Sequence, residues 1–171
     1  VFTVRAIALD AELARSSVAG VRAVALPRLN GNFFSIDLDA ARSAFESVPW
    51  VRRAAVRRVW PNRLAVSLEE HQAAALWQSE GQRKERLVNM QGEVFEANVK
   101  DVAEEALPTL AGSDANSAQM LALHQRLNTA LAPIAQQVQT LRLSSRGSWQ
   151  IGRATGAERV FVIGSIEVVV G

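Results

Sequence analysis

The chain has 171 residues, 49% hydrophobic and 21% charged, with a formal net charge of +2. That is length for one large domain or two small ones, with enough apolar residues for a real core. It contains no cysteine, which excludes disulfides, cysteine–zinc sites and a thiol nucleophile, and no tyrosine, which removes one common general acid.

The charge is uneven. Residues 1–71 hold ten arginines, no lysine and seven acids, a balance of +3; residues 72–171 hold nine basic and ten acidic residues, a balance of −1. No apolar run reaches the ~20 residues that a membrane-crossing helix needs, and no signal-peptide pattern is present. The chain opens directly in a strand, Phe2 to Leu9, so it reads as trimmed, with any anchor lying upstream.

In chain order, Ser16 or Ser17 caps a short helix carrying Val18, Val21 and Val24, which Pro27 closes. Asn30-Gly31-Asn32 is a loop. Asp37 caps a second helix, in which Leu38, Ala41, Phe45 and Val48 form one apolar face. That helix ends at Pro49-Trp50. A strand follows, then a turn at Trp60-Pro61-Asn62-Arg63, then a second strand with Leu64, Val66 and Leu68 on one face and Ala65, Ser67 and Glu69 on the other. Period-two alternation around a Pro-Asn turn predicts a β-hairpin with one buried face. The order strand, helix, helix, strand, strand predicts a three-stranded sheet with both helices on one side.

A join near residues 71–75 separates a second part, 72–171, made mostly of strands. Ala73–Trp77 is a short strand, and residues 79–86 form a polar loop. Leu87-Val88-Asn89 and Val94-Phe95 flank a tight turn at Gln91-Gly92. Residues 117–130 are helical, with Met120, Leu123 (or Leu121) and Leu127 inward. Val138 to Leu143 alternates as a strand, placing Val138, Thr140 and Arg142 opposite Leu141 and Leu143. Residues 148–151, 159–163 and 166–170 are further strands. The fold class is therefore α+β, its second domain mostly antiparallel with one or two helices.

Chemistry is sparse. His71 and His124 stand far apart, without the closely spaced ligands of a metal motif, and read as surface or packing residues. No glycine-rich phosphate loop or nucleophile elbow occurs. Ser16-Ser17 and Ser144-Ser145 lack a neighbouring base. Glu69 and Glu70, adjacent on a strand, point to opposite faces and cannot share a substrate. No residue pattern supports an enzyme, and no cofactor is implied.

Two features invite binding. Arg52, Arg53, Arg57 and Arg58 fall in one strand beside Trp50 and Trp60. They read as a solvated sheet face, as a contact to an acidic protein or lipid headgroups, or as a grip on nucleic acid; the weak overall charge and the missing lysines count against nucleic acid. The second feature is Ile166-Glu167-Val168-Val169-Val170, β-branched and without proline. It reads as interior sheet or as an edge able to accept a partner strand. Trp50 and Trp60 are expected to cap the helix-to-strand corner and the hairpin turn against the core, and Trp77 and Trp149 to sit in the second sheet.

The run Pro49-Trp50-Val51, Arg57, Trp60-Pro61, Glu69 or Glu70, and Trp77 resembles the hairpin of the POTRA domain in the bacterial cell-division family FtsQ/DivIB. The likeness continues in Leu87-Val88-Asn89-Met90-Gln91-Gly92-Glu93-Val94-Phe95, in Leu107-Pro108-Thr109-Leu110-Ala111-Gly112 and in Arg146-Gly147-Ser148-Trp149, covering about residues 2–150. Beyond that the pattern departs: Ile151-Gly152-Arg153 stands unusually close to Trp149 for the family's Leu-Gly-Arg. The resemblance implies a POTRA domain at 1–71 and a partner-binding β domain at 72–171. It implies a non-enzymatic scaffold held at the periplasmic face of the inner membrane, at the septum, by one upstream helix. It further implies FtsB and FtsL as partners, docked by strand addition on Ser165, Ile166, Glu167, Val168, Val169 and Val170, with Glu158, Arg159 and Glu167 setting register, and other septal proteins on the POTRA arginines Arg52, Arg53, Arg57 and Arg58. A POTRA-bearing outer-membrane assembly or secretion component, acting as a peptide-binding chaperone, is the alternative.

Overall fold

The computed structural model describes residues 4, 6–153 and 161–163, and the chain divides into two units, 1–71 and 72–171. In the first unit two side-chain caps set the helix starts. The Ser17 hydroxyl accepts from the Gly20 N–H at 2.9 Å, and the Asp37 carboxylate accepts from Asp39 and Ala40 N–H at 2.9 and 3.1 Å. Each satisfies donors that a first helical turn leaves unpaired. Helix α1 therefore spans Val18–Ala25 and α2 spans Leu38–Glu46. A 3-10 turn at Leu26–Arg28 carries Pro27, which ends α1.

The strands are β1 (Ala6–Asp10), β2 (Val51–Val59) and β3 (Arg63–Glu70), in the order β1-β3-β2. β1 runs parallel to β3, and β2 runs antiparallel to it through the hairpin. Leu64 and Val66 are buried, as the alternation requires. The core joins Val21, Ala25, Ala44, Phe45, Val48, Val51, Ala54 and Val66. One expected stripe differs. Val18 and Val24 are exposed, and α1 buries Val21 and Ala25 instead. Those two lie four apart, one turn of helix, and an eight-residue helix offers room for little more.

The second unit has β4 (Ala73–Ser79), β5 (Arg86–Asn89), β6 (Val94–Phe95), a 3-10 segment (Val99–Glu105), β7 (Thr109–Gly112), α3 (Ser117–Leu131), β8 (Val138–Leu143), β9 (Trp149–Arg153) and β10 (Phe161–Ile163). Among the described residues they form one sheet in the order β10-β9-β8-β7-β4-β5-β6. The joins β4–β7 and β7–β8 are parallel and the rest antiparallel. The parallel pair β7 and β8 needs a crossover, which α3 supplies. This helix packs Met120 and Leu121 against Trp77, Val88, Leu110, Val138 and Leu141. Leu123 and Leu127 are only partly buried, so Leu121 takes the inward place given first to Leu123.

The face assignment of β8 also changes. The pairing slips between Val138 and Thr140, a bulge that puts an extra residue in the strand. Val138 and Leu141 are consequently both buried, although three positions apart. Strict alternation puts them on opposite faces. α3 is further stitched to β8 by polar contacts: His124 Nε2–H donates to the Val138 carbonyl at 2.8 Å, and Asn128 Oδ1 accepts from the Val138 N–H at 2.8 Å. His124 is thus a buried packing residue.

Candidate interaction surfaces

On the arginine strand β2, four like residues are divided by their neighbours. Arg52 donates to Glu69 Oε1 at 2.9 Å with its own side chain 10% exposed. A register slip between Val51 and Arg53 brings it to that side. Arg58, on the helix side of the sheet, donates to the carbonyls of Phe33 at 2.8 Å and Ile36 at 2.5 Å, tying down the loop before α2. Arg53 and Arg57 remain on the opposite, open face, where Ala55, Ala65 and Ser67 are small. So two of the four guanidiniums, Arg52 and Arg58, are engaged by neighbours, and Arg53 and Arg57 are left open. Sequence spacing shows the alternation but not which carbonyls lie within reach.

Trp50 is buried as expected, with the Arg15 guanidinium 5.2 Å from its ring centre. Trp60 is not: it is 77% exposed at the hairpin tip, and the expectation that it seals the turn against the core is corrected. The Arg58 contacts to the loop carbonyls, rather than the indole, close the core below the turn.

Glu70 has a role that spacing alone did not reveal. Its carboxylate accepts N–H groups from Ala14 (2.7 Å), Arg15 (3.0 Å) and Ser16 (2.7 Å), fixing the segment that leads into α1. Burial alone would raise its pKa, but the N–H groups of Arg15, Ala14 and Ser16 and the Ser16 hydroxyl outweigh it, leaving the group below its ordinary 4.5. A depressed folded-state pKa contributes stability above 4.5 that is lost as pH falls through the folded value. Glu70→Ala is expected to cost about 0.5–2 kcal/mol, as the loss of a side-chain cap does, because water can replace the carboxylate on the exposed Ala14 and Arg15 N–H groups. Glu70→Gln should cost less and should remove this step from an acid-unfolding curve followed by circular dichroism.

In the second unit Asp114 gathers a polar knot. Its carboxylate accepts from Trp77 Nε1 at 2.8 Å, Ser79 Oγ at 2.6 Å and Arg86 Nη2 at 2.6 Å, and Arg86 also donates to Ser79 Oγ. The Arg86 hydrogen bond, then that of Ser79, lowers the carboxyl from 3.8 to about 2; burial opposes them, and Trp77 and the Arg86 charge add to the lowering. The contribution to folding is therefore complete above pH 3.8 and disappears towards pH 2. Asp114→Asn is expected to cost about 1 kcal/mol at pH 7, less than the shift alone would give because the carboxylate is half exposed and screened. The loss should shrink at pH 2–3, checked by urea unfolding at both pH values. Arg86, Ser79 and Trp77 are adjacent only because β4 pairs with β5, and Asp114 reaches them from beyond β7.

Among the described residues no group of three or more His, Asp or Glu side chains is placed to hold a metal. No helix among them is long and apolar enough to cross a membrane. The described sheet of the second unit has β6 and β10 at its margins. Arg159 and the segment Ser165, Ile166, Glu167, Val168, Val169 and Val170 lie outside the described residues.

The order β-α-α-β-β with both helices against one face of β1-β3-β2, followed by a mixed sheet crossed by one helix, defines the class: a POTRA unit joined to a β-rich α+β unit. Residues 2–71 match the family model "POTRA domain, FtsQ-type", and residues 75–162 match "Cell division protein FtsQ/DivIB, C-terminal", reaching past Gln150, where the motif likeness ended. The chain belongs to the FtsQ/DivIB family of cell-division proteins. It is 43% identical over 153 residues to cell division protein FtsQ of Thiomonas arsenitoxydans, covering 90% of this chain and 56% of that one. It is 39% identical to FtsQ of Bordetella pertussis (91% and 57%) and 38% identical to FtsQ of Burkholderia pseudomallei (92% and 60%). The chain spans somewhat more than half the length of these relatives.

Proposed function

We propose that this chain is a non-enzymatic scaffold of the division machinery, bound through the margin of its second sheet to the FtsB–FtsL pair. The observation that carries this reading is the strand order: β10 is the outermost described strand on its side, and the β-branched segment 166–170 follows it in the chain. An unpaired strand margin offers a row of backbone donors and acceptors to a partner strand, while alternate side chains select it. In this reading residues 165–170 extend the sheet, and Glu158, Arg159 and Glu167 set the register of the incoming strand. The POTRA unit, through the part of its open face around Arg53, opposite Glu69, engages other septal proteins. An upstream helix anchors the whole protein at the periplasmic face of the inner membrane.

The test is capture of a peptide from the periplasmic end of an FtsB-like protein, repeated with Val168→Pro. Proline removes a backbone donor and cannot sit within a paired strand. Capture is expected to fall at least tenfold, the effect of a lost ladder bond plus local distortion at about 1.4 kcal/mol per decade. Unchanged capture would exclude this segment as the dock.

A further inference from the structure

The direction of the strands fixes which end of the POTRA unit the chain enters. β1 pairs in parallel with β3 from Ala6 opposite Arg63 to Asp10 opposite Ser67. β2 ends where β3 begins, Val59 opposite Arg63, with the turn Trp60-Pro61-Asn62 between them. The start of β1 and the tip of the hairpin therefore share one end of the sheet. The exit towards the second unit, at Glu70 and His71, lies at the other end, roughly 25 Å away for an eight-residue strand.

The entry end is apolar and basic. Trp60 is 77% exposed there, and Phe34, 62% exposed, is held beside the hairpin because Arg58 binds the carbonyls on either side of it. A groove of about 560 Å³, lined by Ile7, Leu26, Leu29, Ile36 and Leu64 among others, lies at the same end. Arg57 and Arg63 stand on the open face next to the tip, with no ion-pair partner among the described residues. The acids nearby are Asp10, which lines a shallow hollow with Arg57 on the open face but lies four residues along β1 from its entry end, Asp37, whose carboxylate caps α2, and Asp39, 3.7 Å from Arg42. Exposed indole and phenyl rings beside guanidiniums suit the boundary between lipid headgroups and acyl chains, where an amphipathic ring has both phases in reach and anionic phosphates attract the cations.

We propose that this end of the POTRA unit is a membrane-facing surface: Trp60 and Phe34 enter the headgroup layer of an anionic bilayer, while Arg57 and Arg63 meet its phosphates. The orientation rests on the upstream anchor of the preceding reading, since an anchored chain emerges from the bilayer at the start of β1. The surface chemistry does not rest on it. The bilayer thus sets the tilt of the unit, and its exit end is held about the length of β3 away from the lipid.

Flotation of the untethered chain with phosphatidylglycerol–phosphatidylcholine vesicles, against pure phosphatidylcholine, tests the patch. Binding is expected to the anionic vesicles and to fall roughly fivefold for each of Arg57→Gln and Arg63→Gln. Trp60→Ser should weaken it several-fold, with melting temperatures unchanged because all three side chains are exposed. A second arm attaches the chain by a histidine tag to chelator-lipid vesicles containing brominated lipid. Attached by its N-terminus, its emission should be quenched through Trp60, since Trp50 and Trp77 are buried and Trp149 partly so. Equal flotation with both vesicle types, variants that bind like the parent, or quenching that survives Trp60→Ser would overturn the proposal; in those cases the patch serves a protein partner. If the full-length protein fractionates as soluble while flotation succeeds, the anchor reading fails and the lipid-binding surface stands.

Discussion

Gly92→Ala is expected to destabilise the second unit by about 2–5 kcal/mol. Gly92 sits in the turn between β5 and β6 with φ at +83°, where an L-residue costs roughly 1–2 kcal/mol. A Cβ at this position would also lie 2.6 Å from Ala118 Cα and 2.7 Å from Ala118 Cβ, in the first turn of α3. Main-chain atoms of a helix cannot step aside, and such overpacking adds about 1–3 kcal/mol. The approach is close because the Ser117 hydroxyl donates to the Gly92 carbonyl at 2.7 Å, clamping helix to turn. Gly81→Ala supplies the control. Gly81 has a similar φ of +76° but nothing within 4 Å, so only the conformational cost should appear. Urea unfolding followed by the Trp77 indole N–H signal measures both, and equal losses in the two variants would show that the contact with Ala118 is not tight.

Phe45→Ala is the corresponding test of the first unit. Phe45 is fully buried on α2 among Val21, Ala25, Val48, Val51 and Val66. Truncating a buried phenylalanine costs about 3–5 kcal/mol through lost burial and the cavity left behind. A unit of 71 residues has a total stability of roughly 4–10 kcal/mol, so most of it would go. The Trp50 indole, buried at the corner of the same unit, reports the transition. Phe45→Leu, which restores most of the volume, should recover all but about 1.5 kcal/mol. Retention of the parental midpoint by Phe45→Ala would mean that α2 does not carry the core.

Both variants bear on function through rigidity. The hairpin tip is aimed by Arg58 and by the α2 core beneath it, and the β10 margin is held by a sheet whose centre is β7, covered by α3. Loosening either unit should weaken its docking without touching a docking residue.

Much of the first unit was legible because its decisive interactions are local. A cap acts on N–H groups two or three residues away, as Ser17 and Asp37 do, and a hairpin is set by its own turn, so the elements could be taken from adjacent residues. The family likeness was legible for the same reason, since its motifs are short runs. Less could be read where partners come from afar. Glu70 caps a segment more than fifty positions earlier, and Asp114 reaches Trp77 across thirty-seven.

The sequence by itself determined the α+β class, the element order β-α-α-β-β, the two helix caps, the hairpin and the membership of a cell-division family. Only the tertiary structure decided that Trp60 stands in solvent while Trp50 is buried, that Arg52 and Arg58 are held by partners while Arg53 and Arg57 are not, and that a bulge brings Val138 to the face of Leu141. Alternation gives a side chain one of two faces, but which face meets a helix, a carbonyl or water depends on what the rest of the chain packs there, and one inserted residue reverses the answer.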